Sequence, residues 1–463
     1  MSVSNPKASA REASVGSAIR LSAEIVVRTS SVIATLWLTR TLGVSGYGSF
    51  ILALSIGLVV AELSDLGLSA VVVPLVVRSR QNLRTIFLMK AAMTLGVSAL
   101  AVLLLPLASR ASGLDLGILG LCAFHFLCVD WIVIMGAALR ALGRRLTEAF
   151  LLLVFRFSLV GLVIAAPFGE SVSGAALSYA ASVVPAVLLG MVLIGRGPRL
   201  EDSSLRATVG GIVAQAFPMG VNGYLAILSS RVELFLLQAF FGAHIVGLFG
   251  GAVRIVESLL TLPAAVASGA LPSVARDVVQ GSKGAAQRTF GAIVWIAAPA
   301  ALGLALCAPD VLRVLGPGFV EGAGALRILS VALFVCFANT ALSHLLIAAG
   351  NTAVIPRLTG ARVMVAALLG ALLIPALGLR GAALSFTAAE IVLFGALVSE
   401  VRGPVALEVA RPVGFAFLAC VPMFVVLSFW PLPLVASILT GALLFLVAGF
   451  LILRHGTEAS GLA

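Results

Sequence analysis

The sequence predicts an all-α, polytopic membrane protein of about fourteen transmembrane helices, arranged as two parallel-repeat six-helix lobes around a central cleft plus two C-terminal helices. Three observations carry this expectation. Of 463 residues, 61% are hydrophobic and 11% charged, whereas soluble domains carry about a quarter charged residues. The apolar runs have the length that a bilayer core demands of a helix, about 20 residues. Positive residues gather in every second loop.

Taken in order, runs near 18–39, 48–66, 85–107, 114–138, 147–167 and 173–194 each supply one span. The first begins after a polar tail and lacks a small-residue cleavage site, so it reads as a retained span. A polar stretch, Gly195–Arg206, separates these six from runs near 216–241, 246–268, 288–308, 326–348, 355–376 and 381–399. The last pair lies near 412–430 and 433–453. Pro and Gly inside the runs are compatible with spanning helices, because neighbouring helices re-satisfy the freed backbone groups. Asp65-Leu66-Gly67 reads as a helix break before a short interfacial segment.

Lys and Arg fix the expected orientation, since positive loops stay cytoplasmic. One set of alternate loops holds Lys7 and Arg11, then Arg78, Arg80 and Arg84, then Arg140, Arg144 and Arg145, then Arg196, Arg199 and Arg206. It continues with Arg276, Lys283 and Arg288, then Arg357, Arg402 and Arg411, and Arg454. The opposite set has only Arg40, Arg110, Arg313 and Arg380. Both termini are therefore expected in the cytoplasm.

The two halves read as copies. Gly43, Gly48 and Phe50 match Gly242, Gly247 and Phe249, and Gly174-Ala175-Ala176-Leu177-Ser178-Tyr179 matches Gly381-Ala382-Ala383-Leu384-Ser385-Phe386. Gly143 matches Gly350, and Pro167 matches Pro375, in the same order. Six spans per copy make both copies enter the membrane in one direction. The expected lobes are 15–207 and 208–400, with a helix pair at 401–455.

A net charge of +11 invites a nucleic-acid reading, but the cations sit singly between apolar runs, as membrane orientation requires. No nucleic-acid partner is expected. Cys122, Cys128, Cys307, Cys336 and Cys420 lie inside apolar segments without paired ligand spacing, so they read as packing residues and no metal or other cofactor is expected. There is no Gly-Lys dipeptide, His-Glu-x-x-His or Gly-x-Ser-x-Gly. The chain thus lacks a phosphate-cradling loop and these hydrolytic signatures, and it is not read as an enzyme.

Leu38-Thr39-Arg40-Thr41-Leu42-Gly43-Val44-Ser45-Gly46-Tyr47-Gly48 resembles the first-loop pattern of bacterial oligosaccharide flippases. Asp65-Leu66-Gly67-Leu68, Leu315-Gly316-Pro317-Gly318-Phe319, Leu326-Arg327-Ile328-Leu329 and Ile374-Pro375-Ala376-Leu377-Gly378-Leu379-Arg380-Gly381 extend the likeness over residues 15–400. The family resembled is the polysaccharide-transporter branch of the multidrug/oligosaccharidyl-lipid/polysaccharide exporter superfamily. That resemblance implies translocation of undecaprenyl-diphosphate-linked oligosaccharide from the cytoplasmic to the periplasmic leaflet of the bacterial inner membrane, for O-antigen, capsule or exopolysaccharide assembly. The implied partners are the lipid-linked oligosaccharide, the bilayer, polysaccharide polymerases and glycosyltransferases. A peptidoglycan-precursor flippase, a small-molecule cation antiporter and a membrane glycan polymerase or ligase stay open, although the last should carry a large outer loop.

Ionisable residues deep in a span cost roughly 2.5–3.5 kcal/mol on insertion scales and mark functional candidates. Arg20, Glu24 and Arg28 follow i, i+4, i+8 and share one face of the first span. Arg156, Arg231 and Arg254 are also deep, Arg254 lying three residues before Glu257 and Arg231 two before Glu233. Arginine's planar fork suits the oxygens of a diphosphate, so Arg20, Arg28, Arg156, Arg231 and Arg254 are the candidate substrate contacts. The competing reading pairs them with Glu24, Glu233, Glu257, Asp130 or Glu390 to join helices. Glu24, Asp130, Glu257 and Glu390 are candidate ion-coupling carboxylates, with Glu62 and Asp65 weaker ones. His125 and His344 read as satisfied polar groups.

Overall fold

A computed structural model describes the backbone over residues 6–78, 82–165, 171–195, 209–280, 282, 284–405, 408–430 and 432–460. Side chains are described over 29–78, 83–165, 171–194, 209–280, 282, 284–401, 408–430 and 432–450. The described chain is helical: α1 (Pro6–Asp65), α2 (Leu68–Arg78), α3 (Asn82–Ser112), α4 (Leu116–Ala141), α5 (Arg145–Ala165), α6 (Val172–Gly195), α7 (Val209–Phe241) and α8 (Ala243–Leu259). There follow α9 (Thr261–Val279), α10 (Gly284–Leu306), α11 (Ala308–Leu315), α12 (Ala323–Ala348), α13 (Ile355–Leu377), α14 (Leu379–Val405), α15 (Ala410–Phe429) and α16 (Leu434–Ser460).

Among the described residues, 12 helices are long and apolar enough to cross a membrane, and Leu434–Phe450 is a shorter apolar one. The sequence predicts about fourteen, and the difference lies in two places. The first helical stretch, Thr29–Arg78, runs for 50 residues, but Gly43 inside α1 has φ 65 and ψ −175 and kinks it into two. The last, α16, is helical to Ser460, but its side chains are described only to Phe450, so Leu434–Phe450 counts as a shorter helix. Helix α1 ends at Asp65, where the sequence predicts the break. Leu66 takes φ 40, and Asp65 caps α2, accepting from the Ser69 backbone N at 3.2 Å and from Ser69 Oγ at 2.7 Å. Buried Leu68, Val71, Val72, Leu75 and Val76 then form one apolar stripe on α2, packed with Ile86, Ile134, Ile212 and Ala216.

The chain forms two compact units, Met1–Leu228 and Ser229–Ala463, and the boundary falls within α7. Their internal pairings run in parallel. In the first unit α4 packs against α1, α2, α3 and α6, and α5 against α6; in the second, α12 packs against α8, α9, α10 and α14, and α13 against α14. Helices α15 and α16 pack on each other and on α10. Backbone detail repeats as well. Gly242, which precedes α8, has φ 80 and ψ −174, matching Gly43 in a region that only glycine adopts readily. Gly143 and Gly350 both have φ 78.

The same hydrogen bonds close the two helices ahead of those glycines. Gly143 N donates to Arg140 O and Arg144 N to Leu139 O; Gly350 N donates to Ile347 O and Asn351 N to Leu346 O. These left-handed caps satisfy the last carbonyls of α4 and α12 with one glycine each.

Candidate functional site

Gly242 separates α7 from α8, and one ionic group draws on both helices. Arg231 lies eleven residues before Gly242 and Arg254 twelve after. At 1.5 Å per residue each is about 17 Å along its own helix from that glycine, well inside its apolar segment. Glu257, three residues beyond Arg254, bridges them. Its Oε1 is 3.5 Å from Arg231 Nη1 and its Oε2 accepts from Arg254 Nη1 at 3.3 Å. The three side chains remain partly open, at 15% exposure for Arg231, 36% for Arg254 and 28% for Glu257. Arg231 Nε is buried and finds no hydrogen-bond partner among the described residues. Two guanidinium groups thus share the one carboxylate of Glu257.

Glu233 is not the partner of Arg231, despite its proximity in sequence. Residues two apart on a helix point to opposite sides, and both Glu233 oxygens are buried without a hydrogen-bond partner among the described residues. Glu233 instead feels the charge of Arg362 on α13. That arginine belongs to a closed cluster. Its Nη2 is 2.6 Å and its Nε 2.7 Å from Glu390 Oε1, on α14. Its Nη1 donates to the Ser229 carbonyl at 2.8 Å, and Asn339 Nδ2 on α12 donates to Glu390 Oε2 at 2.7 Å. Arg362, Glu390, Asn339 and Ser229 are all buried.

The first unit holds a second closed cluster. Lys90 on α3, fully buried, reaches Asp130 Oδ2 on α4 at 2.5 Å and lies 3.8 Å from Asp65 Oδ1. It also donates to the Ser64 carbonyl at 3.0 Å and contacts Ser64 Oγ at 3.1 Å, while Ser64 Oγ donates to Asp130 Oδ2 at 2.9 Å. Half-buried Glu62 packs so closely on α7 that a Cβ at Gly223 would collide with its Oε1.

Asp130 and Glu390, expected as ion-coupling carboxylates, thus each face a fixed cation of the protein, and Glu257 faces two. Arg156 on α5 lies with its guanidinium 4.8 Å from the Phe155 ring centroid. Arg20, Glu24 and Arg28 lie outside the residues whose side chains are described. His125 Nδ1 bonds the Tyr179 carbonyl at 2.7 Å and His344 Nδ1 the Thr340 carbonyl at 2.8 Å, as expected of satisfied polar groups. The five cysteines are free thiols, Cys128 half-buried and the others buried. No group of three or more His, Cys, Asp or Glu among the described residues is placed to hold a metal ion.

Sequence reasoning missed Lys90 and Arg362. Each lies within two turns of the predicted start of its span, where a cation reads as interfacial. The signal that could have found them is a complementary one, a lone carboxylate deep in another span: Asp130 for Lys90 and Glu390 for Arg362.

Residues 15–276 match the protein family described as "Polysaccharide biosynthesis protein". No curated protein sequence matches the chain. Among solved structures, the fold is similar to a lipid II flippase MurJ in an inward closed conformation, with TM-score 0.77 and 12% identity over 95% of this chain and 99% of that one. An inward-facing multidrug resistance MATE family transporter gives TM-score 0.64 and 17% identity, over 84% of this chain and 99% of that one. The MATE multidrug transporter DinF-BH gives 0.59 and 18%, over 88% and 98%. The match covers more than half of the chain, so this protein belongs to the family described as polysaccharide biosynthesis protein, on a fold shared with a flippase and multidrug transporters.

Proposed function

We propose that the chain is a flippase that moves undecaprenyl-diphosphate-linked oligosaccharide from the cytoplasmic to the periplasmic leaflet of the bacterial inner membrane, for surface polysaccharide assembly. The observation that carries this reading is the partly open Arg231–Glu257–Arg254 triad, two guanidinium groups sharing one carboxylate well inside their apolar segments. A diphosphate crossing the hydrocarbon core needs compensating charge along its path, and paired guanidinium forks supply it. Arg20, Arg28 and Arg156 are proposed as further contacts on sequence grounds. A cationic drug would be repelled by the same triad, which disfavours the antiporter reading. No catalytic step is assigned to any residue.

With both termini and the 140–145 and 195–206 loops in the cytoplasm, polysaccharide polymerases would receive the product in the periplasm and glycosyltransferases would load the substrate in the cytoplasm. Cysteine-accessibility labelling in intact cells checks that topology: reaction of the 195–206 loop from the periplasmic side would overturn it.

A second reading is translocation of a peptidoglycan precursor, favoured by the TM-score of 0.77 to a structure described as a lipid II flippase. Both substrates carry a diphosphate, so proteoliposomes decide between them. Fluorescent undecaprenyl-diphosphate oligosaccharide should reach the outer leaflet, read by quenching, at a rate well above protein-free vesicles, and the peptidoglycan precursor should not. Transport of the precursor alone would replace the first reading with the second, and transport of neither would overturn both.

A further inference from the structure

The geometry points to Glu257 as a built-in stand-in for the substrate's anion: it holds Arg231 and Arg254 between transport events and is displaced when a lipid-borne diphosphate takes both guanidinium groups. The inference rests on the flippase reading above and assigns to Glu257 a role in setting affinity and release.

Four features of the triad support it. First, the carboxylate is split, giving Oε1 to Arg231 at 3.5 Å and Oε2 to Arg254 at 3.3 Å. Charge-assisted N–H···O bonds are ordinarily about 2.7–2.9 Å, and Arg362 grips Glu390 at 2.6 and 2.7 Å. Glu257 is thus stretched between two cations and held firmly by neither. Second, both arginines share one carboxylate with two oxygens, whereas a diphosphate offers more acceptor oxygens to the same pair of guanidinium groups. Third, the buried Arg231 Nε has no partner among the described residues, so Glu257 does not saturate this guanidinium. Fourth, Glu257 and Arg254 are open enough for a ligand to reach, unlike the buried Arg362 and Glu390.

The consequence is an exchange of anions. A bare pair of arginines at this depth would bind a diphosphate tightly and hold it. A carboxylate three residues from Arg254 competes for the same N–H groups, lowers the affinity for the substrate and recaptures the arginines as the substrate leaves. Glu257 therefore acts as a specificity and release residue, and its charge should oppose binding.

The test uses the full-length protein in detergent micelles, titrated calorimetrically with inorganic pyrophosphate and with farnesyl diphosphate. Glu257→Gln should bind both about tenfold tighter than wild type, the scale of one charge-assisted hydrogen bond, while Arg254→Gln should bind both more weakly. Farnesyl diphosphate should bind tighter than pyrophosphate in every variant, because the lipid is the source of the anion; equal binding would assign the site to free phosphate instead. Glu257→Asp, whose carboxylate is one methylene short, should fall between wild type and Gln, and it decides the matter if the Gln variant does not fold. Gln and Asp variants that bind no tighter than wild type, while Arg254→Gln still weakens binding, would overturn the stand-in role and leave the diphosphate site intact. Absence of binding to wild type and to Glu257→Gln alike would overturn both.

Discussion

Two ionic clusters of the second unit, less than one helix apart in sequence on α7, are built on opposite terms. Around Arg362 every donor named above has an acceptor: Glu390 takes two N–H groups, the Ser229 carbonyl takes a third, and Asn339 steadies the far oxygen of Glu390. Around Glu257 one carboxylate serves two arginines at longer distance, and one guanidinium nitrogen is left over. The difference teaches which charges hold the helices together and which await a ligand. A buried, fully bonded pair is expensive to break because the surviving partner is stranded. A more open triad with longer contacts has less to lose in the fold and two guanidinium groups to offer a diphosphate.

The comparison breaks most readily at Arg362. Arg362→Ala strands Glu390 inside the unit and should destabilise the protein by about 3–5 kcal/mol, read as lost folded protein and earlier thermal unfolding in detergent. Lys90→Ala should do the same through Asp130 in the first unit, since Lys90 is equally closed off by Asp130 and Ser64. Near-wild-type stability of either variant would remove the distinction between closed and open clusters. A smaller effect sharpens the background against which the clusters differ. Gly143→Ala and Gly350→Ala each force a side chain to φ 78 and should cost about 1–2 kcal/mol, by similar amounts because the two caps share their hydrogen bonds. Unequal penalties would show that the two units carry that repeat with different strain.

The scaffold was far more legible than its polar interior. Apolar run length and the lone glycines mark helices and turns through local physics, so Gly43 and Gly242, or Gly143 and Gly350, could be paired from spacing alone, and the structure gives each pair one conformation. Asp65 was readable as a helix end for the same local reason. Ion pairing is a tertiary fact. Glu257 bridges Arg254, three residues away, and Arg231, on the preceding helix, and only the first of these contacts has a sequence spacing that announces it. Lys90 and Asp130 sit on different helices 40 residues apart, and Arg362 and Glu390 are 28 apart. Nothing periodic connects them. The scaffold repeats between units while the clusters do not: Lys90 joins α1, α3 and α4, whereas Arg362 joins α7, α13 and α14. Each unit has met the need for a buried anchor with its own residues.

The central claim, that the open triad carries transport and the closed clusters carry the fold, is tested most directly by Arg254→Gln in the proteoliposome assay, with the rate normalised to folded protein. Removing one charged donor to a phosphate should lose roughly 1.5–3 kcal/mol of interaction, so the variant should fold at wild-type yield and melt close to wild type while moving lipid-linked oligosaccharide at about a tenth of the wild-type rate or less. A wild-type rate from that folded variant would contradict the account.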